Sequence, residues 1–299
     1  MVAVRVRAPG SQVPPHIHAE VGGSLRDVPQ DAPLSDVIAA IESRYDPAWA
    51  EPWDAVGLVC GDPDQPVERV MFAVDPVAAV VDEAVDWGAD LLVVHHPLLL
   101  RPVSSVAATT PKGRLVHRLI TAGVALYTAH TNADVADPGV SDALAHAVGL
   151  TGPLHPLAPA ADEPRRGLGR IGSLSRPLSL REFAAQAVAR LPATAAGIRV
   201  AGDPDRTIHT VAVSGGAGDS LLTAARAAAV DVFLTADLRH HPASEFAEYD
   251  GPALIDAGHW ATEWPWLADA ERLVAGALSV RTRVSTLVTD AWTMSEGAK

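Results

Sequence analysis

Gly88-Ala89-Asp90-Leu91-Leu92-Val93-Val94-His95-His96-Pro97 is a short apolar run set between a glycine turn signal and a proline. Four consecutive aliphatic residues without polar alternation describe a strand buried on both faces, the condition of a parallel strand inside an α/β sheet. The run ends on two adjacent imidazoles, so a strand here delivers both rings to the carboxyl edge of its sheet, where open α/β proteins bind ligands.

Outward from this strand the same grammar repeats. Val67–Ala73 reads as a strand, and Asp75-Pro76 offers an N-cap and a first-turn proline for a helix that stops near Gly88. A helix over 113–122, a strand over 124–128 and a helix over 139–148 continue the alternation of βαβ units. Upstream, Leu34, Val37, Ile38 and Ile41 fall at helical spacing before Pro47 and Pro52 break the pattern. Residues 1–33 carry Pro, Gly and His without any period and are expected to form a poorly ordered N-terminal extension. The Pro-, Ala- and charge-rich stretch at 154–167, LHPLAPAADEPRRG, reads as a connection between modules, with the boundary near 155–166.

Beyond it, Ser179-Leu-Arg-Glu182 has the capping-box pattern of a helix running to about Leu191, and strands are expected near 196–201, 208–214 and 231–235. VMFAVDP and ADLLVVHHP in the first half are echoed weakly by VAVSGGA and VDVFLTADLRHHP in the second. The expected fold is α/β: two similar modules, 34–155 and 166–299, each a mostly parallel sheet covered by helices.

Composition excludes several classes of function. The 299 residues are 48% hydrophobic and 20% charged, ordinary globular usage that rules out wholesale disorder and a coiled coil. The net charge is −13, and Lys112 and Lys299 are the only lysines, so no basic footprint for duplex nucleic acid exists. A single cysteine, Cys60, permits neither an internal disulfide nor a thiolate metal cluster. The residues contain no uninterrupted apolar run of spanning length and no apolar signal segment at the start, so a cytoplasmic protein without membrane attachment is expected.

The polar residues that interrupt this pattern fall into three groups. His95-His96 and His240-His241 are adjacent pairs, though with 12 histidines in the chain adjacency alone carries little weight. The strand ending at Tyr127 delivers Ala129-His130-Thr131-Asn132-Ala133-Asp134 to the same edge as His95 and His96, although Asn132 and Asp134 also read as turn caps. His259 and Glu263, four apart in Gly258-His-Trp-Ala-Thr-Glu263, share one face if helical. Imidazole and carboxylate donors without thiolates suit zinc, manganese, iron, cobalt or nickel. Two divalent ions would exceed the charge of Asp134 and Glu263 and so attract phosphate.

Other motifs are weaker. Gly167-Leu-Gly169-Arg-Ile-Gly172 matches a dinucleotide fingerprint as a string but lacks the strand–turn–helix context. Ser214–Ser220 follows a strand and opens a helix; a tight turn explains its glycines, and a phosphate cradle is the sharper alternative. Cys60 and Trp53 are read as core residues. His16 and His18 lie in the extension and receive no role.

Taken together, Glu51-Pro-Trp-Asp-Ala-Val-Gly57-Leu, GADLLVVHHPLL, HTNADVADPGVSDALA, GLGRIG, TADLRHH and GHWATE, in this order across about 34–293, resemble the Nif-three-like dinuclear metal centre hexameric proteins, also called GTP cyclohydrolase 1 type 2 homologues. The resemblance implies that His96 and Asp134 hold one metal, that His95 and His259 hold the other, and that Glu263 bridges them. Ala55, Ala133, Val135 and Trp260 depart from the usual pattern without removing a ligand. The short stretch at 155–166 leaves no room for the middle domain inserted in longer members. Because the candidate ligands come from positions 95–134 and again from 259–263, the site is expected in the cleft between modules; the resemblance implies a toroidal homohexamer. The function expected is a metal-dependent hydrolase of a nucleotide or other phosphorylated small molecule, with GTP suggested by the family name and with His130 or His241 moving the proton. The alternative is a non-catalytic metal-binding adaptor or metal-handling ring protein.

Overall fold

A computed structural model describes residues 31–296. The expected extension lies outside the described residues except at its end, where Ala32–Pro33 pair antiparallel with Pro66–Val67. His16 and His18 also lie outside them.

Two sheets organise the chain. The first has five strands in the order Arg281–Val284, Arg69–Ala73, Leu91–Val94, Ala125–Thr128 and Gly57–Cys60. The first three pairings are parallel and the last is antiparallel. Leu91–Val94 lies at the centre, buried throughout, and period-two alternation divides its side chains between two cores. Leu92 and Val94 join Met71 and Leu126 beneath the helices Ala78–Trp87 and Pro111–Ala122. Leu91 and Val93 join Val70, Phe72 and Tyr127 beneath the helices Leu34–Glu42 and Trp266–Ala277.

The second sheet has six strands: Leu150–Pro159, Gly167–Ser179, Thr207–Ala217, Val232–Ala236, Ala253–Asp256 and Arg199–Ala201. Its faces divide in the same way. Val211, Val213, Leu234 and Ile255 pack with Leu144, Phe183 and Ala187, while Ala212, Phe233 and Leu254 pack with Leu222, Ala225 and Phe246.

The α/β class agrees with the sequence reading, but three details differ. The second sheet is mixed, parallel only among its strands at 207–217, 232–236 and 253–256. The stretch 155–166 is no linker: Leu150–Pro159 and Gly167–Ser179 are the two arms of a hairpin. The chain also does not stay in one module, because its last strand, Arg281–Val284, returns to the edge of the first sheet.

Gly167–Gly172 begins the second hairpin arm, consistent with demoting it as a nucleotide motif. Its function is structural: Arg170 is 1% exposed and pairs with Asp142 at 2.8 Å, while its remaining N–H groups donate to the carbonyls of Gly167, Gly169 and Ala136. This buried fork ties the second sheet to the end of the short helix Thr131–Val135 and to the helix Val140–Val148. Among the described residues no helix is long and apolar enough to cross a membrane.

Candidate metal centre

The carboxyl ends of both sheets' parallel strands meet at one cluster. Leu91–Val94 runs into His95 and His96, and Ala125–Thr128 runs into His130 and the helix Thr131–Val135 that carries Asp134. From the second sheet, Ala253–Asp256 leads through Gly258 into the helix His259–Glu263. The expected four-residue spacing places His259 Nε2 3.0 Å from Glu263 Oε1.

Each of the four imidazoles is oriented by an oxygen that can only accept. His95 Nδ1 lies 2.9 Å from the Ala129 carbonyl, His96 Nδ1 2.7 Å from Asp75 Oδ1, His130 Nδ1 2.8 Å from Asp54 Oδ1, and His259 Nδ1 2.7 Å from Asp237 Oδ2. Nδ1 therefore donates in every case, and the Nε2 lone pair is left to face the cluster. His96 Nε2 stands 3.2 Å from His259 Nε2 and 3.1 Å from Glu263 Oε2; His95 Nε2 stands 3.5 Å from Glu263 Oε1 and 3.7 Å from Asp134 Oδ1. Donor atoms of His95, His96 and His130 form one close group, and those of His96, His259 and Glu263 form another.

Two lone pairs facing one another at such distances repel unless a proton or a cation lies between them. His95 Nε2 is buried without a hydrogen-bond partner, although His95 is only 1% exposed. Separations near 3.2 Å match the edge of a coordination polyhedron whose ligand bonds are about 2.1 Å. The donors thus fit divalent cations of the zinc, manganese, iron, cobalt or nickel kind.

Without a cation the cluster holds protons instead. Burial disfavours the charged form of His96 and His259, yet Glu263 with Asp75 or Asp237 outweighs it, pushing His96 up to about 10 and His259 up to about 11. Burial works against ionisation of Glu263 as well, but the surrounding His96, His95 and His259 hold its carboxyl well below the usual range. Asp134 is pushed up by burial and, more weakly, by Glu263.

His95 lies beside Asp134 and His96 beside His259, with Glu263 central to both, a proximity that differs from the ligand sets the resemblance implies. His130 belongs to the cluster itself. His241 does not: it is exposed at the start of the helix His240–Ala247, its ring 5.2 Å from that of His240.

Both readings of Asn132 and Asp134 apply, one to each. Asn132 caps the turn, accepting from the His130 amide and donating to the Tyr45 carbonyl, while Asp134 faces the metal donors. The Ser214–Ser220 stretch offers no cradle at Gly216, whose N–H donates to Thr262 Oγ1. Trp53 is 54% exposed, edge-on to His130, and so is not core.

Sequence reasoning assigned the orienting carboxylates no such role. Asp75 reads as an N-cap, but the helix begins at Ala78 after an uncapped Val77, and the Asp75 carboxylate turns to His96 instead. Asp237 sits at φ +55, a backbone region costly for a non-glycine residue, and is thereby aimed at His259. Asp54 carried a signal in the Glu51-Pro-Trp-Asp54 motif; it accepts from both the amide and hydroxyl of Thr131 as well as from His130.

Two α/β sheets that together present inward-facing imidazoles and carboxylates define a bilobed protein built around a candidate dinuclear metal centre. The chain belongs to the DUF34/NIF3 (NGG1p interacting factor 3) family, which it matches over residues 32–293. It is 58% identical over 271 residues to the GTP cyclohydrolase 1 type 2 homolog of Streptomyces coelicolor, covering 87% of this chain and 93% of the relative. The protein of that name in Mycobacterium tuberculosis is 40% identical, with 87% of this chain and 97% of the relative covered. That alignment spans 368 residues, so the mycobacterial relative contains insertions that this 299-residue chain lacks, as expected of a short form. Among solved structures, a Bacillus cereus protein related to NIF3 shares the fold at a TM-score of 0.82 and 24% identity, covering 88% of this chain and 99% of that one. Reduced HcgD from Methanocaldococcus jannaschii matches at a TM-score of 0.72 and 28% identity, covering 87% and 100%.

Proposed function

We propose that this protein is a hydrolase of nucleotides or other phosphorylated small molecules that depends on two divalent cations, and that it works in the cytoplasm as a toroidal homohexamer. The observation that carries the reading is the set of four imidazoles, each with Nδ1 committed to an oxygen acceptor, three of which, His95, His96 and His259, turn Nε2 toward Glu263. His95 and Asp134 would hold one cation, His96 and His259 the other, and Glu263 would bridge them. Bound cations there supply Lewis acidity and activate water for attack on carbon or phosphorus.

The chain's own residues provide the rest. Asp54 and Thr131 fix His130 so that its ring can hold or pass a proton at the cluster, and Asp75 and Asp237 keep His96 and His259 in their ligating tautomers. A cavity of about 630 Å3 bordered by His96, His259 and Trp260 has the volume for a nucleotide-sized ligand. The name carried by the relatives makes GTP the first substrate to try.

The test is metal-loaded protein screened against GTP, other nucleotides and phosphoesters beside Glu263→Ala. Wild type is expected to retain two cations per chain and to turn over at least one of these substrates. Glu263→Ala is expected to lose both cations and all turnover. Equal product release by the two proteins would overturn the hydrolase reading, and two retained cations without turnover would favour the adaptor.

A further inference from the structure

The cluster opens onto two cavities that share Asp75 and His96 as a common wall. One is the 630 Å3 space beside His259; the other, about 570 Å3, extends from His96 to the helix Pro111–Ala122. We propose that this second cavity anchors the anionic end of the substrate, a phosphate or similar dianion on an apolar or planar body, through Lys112 and Arg114. This rests on the hydrolase reading above and assigns that site its phosphate-binding residues.

Charge placement is the first argument. In a chain of net charge −13 with two lysines, the exposed Lys112, Arg114 and Arg118 line one cavity that His96 also lines. Its two carboxylates are already engaged, Asp82 by Arg118 and Asp75 by His96 Nδ1 and the Thr289 hydroxyl. No ion pair among the described residues engages Lys112 or Arg114.

Position along the helix is the second. Lys112 and Arg114 occupy its first turn, the positive end of the peptide dipoles, which contains no acidic residue. Cations there oppose the helix field, so the arrangement costs stability unless an anion joins them. The helix end itself is already capped, since Thr110 Oγ1 accepts from the Gly113 amide; the side chains, not the backbone, define the site.

The remaining lining gives the shape of the ligand. Val77, Leu98 and Leu115, with Pro76 and Pro97, make the rest of the wall largely apolar, which suits a hydrocarbon or ring attached to the anion. An anion held by Lys112 and Arg114 would leave the attached body on the side of the cavity that His96 lines.

Phenylphosphonate is the probe, because it combines a dianion with an apolar ring and has no phosphoester bond to hydrolyse. Binding is measured by calorimetry to metal-loaded and chelator-stripped wild type, Lys112→Ala/Arg114→Ala and the charge-preserving Lys112→Arg/Arg114→Lys, with folding checked by circular dichroism and metal by elemental analysis. The expected result is binding to wild type in both metal states, at least tenfold weaker binding in the double alanine variant at unchanged metal content, and near-normal binding in the charge-preserving variant. Equal affinity of the alanine variant and wild type overturns the subsite. Binding that vanishes on stripping metal from wild type also overturns it and leaves the hydrolase reading intact. If no cation can be loaded but binding still requires Lys112 and Arg114, the subsite stands and the hydrolase reading fails.

Discussion

Gly216 shows how tightly the donors are hemmed in. Its φ is +63, and a Cβ added there would overlap Glu263 Oε1 and lie 3.1 Å from His259 Nε2. Gly216→Ala is therefore expected to displace Glu263 and to lower metal content below one ion per chain, with about 1–2 kcal/mol of backbone strain in addition. Elemental analysis of folded protein checks this, and full occupancy would show that the carboxylate can retreat. Individual ligands were legible in the sequence because strand ends and helical spacing bring them to one edge. The orienting carboxylates were not, since Asp75 satisfies the pattern of an N-cap and Asp237 reveals its aim only through a left-handed backbone that no sequence pattern announces.

Arg170 is where two elements depend on one side chain. Removing it leaves the Asp142 carboxylate buried without its cation and frees the Ala136 carbonyl at the end of the helix that carries Asp134. Breaking a buried pair from one side costs about 3–5 kcal/mol. Arg170→Met is expected to lower the urea midpoint accordingly and to reduce occupancy by metal; an unchanged midpoint would mean that water replaces the guanidinium. The hairpin containing Arg170 was also the least legible element. Pro153, Pro156 and Pro159 interrupt Leu150–Pro159 as they would a loop, yet this strand lies at the sheet's edge, where missing amide donors face no neighbour. The central strands carried the clearest signal because burial on both faces leaves an unbroken aliphatic run.

At the scale of the whole molecule, protons and cations compete for the same lone pairs. His96 rises from 6.5 to about 10 in the folded, metal-free protein. A raised histidine contributes stability that is complete below its unfolded value and is lost as pH climbs toward its folded one. Stripped protein is thus expected to lose stability between about pH 6.5 and 10, whereas the loaded protein has no such protons to lose. The gap in thermal midpoint between loaded and stripped protein should widen across that interval, and a constant gap would contradict proton–metal competition at His96.

The return of Arg281–Val284 to the first sheet has a consequence for synthesis. His96 and His259 are 163 positions apart, and the edge beside Arg69–Ala73 stays open until the final strand arrives. While the ribosome is still extending the chain, the amino-terminal half has its imidazoles but neither Glu263 nor its closing strand. A cluster that needs both halves can form only after His259–Glu263 and Arg281–Val284 have been made. A nascent or prematurely stopped chain exposes an unpaired parallel edge, a template for aggregation, in place of an assembled centre.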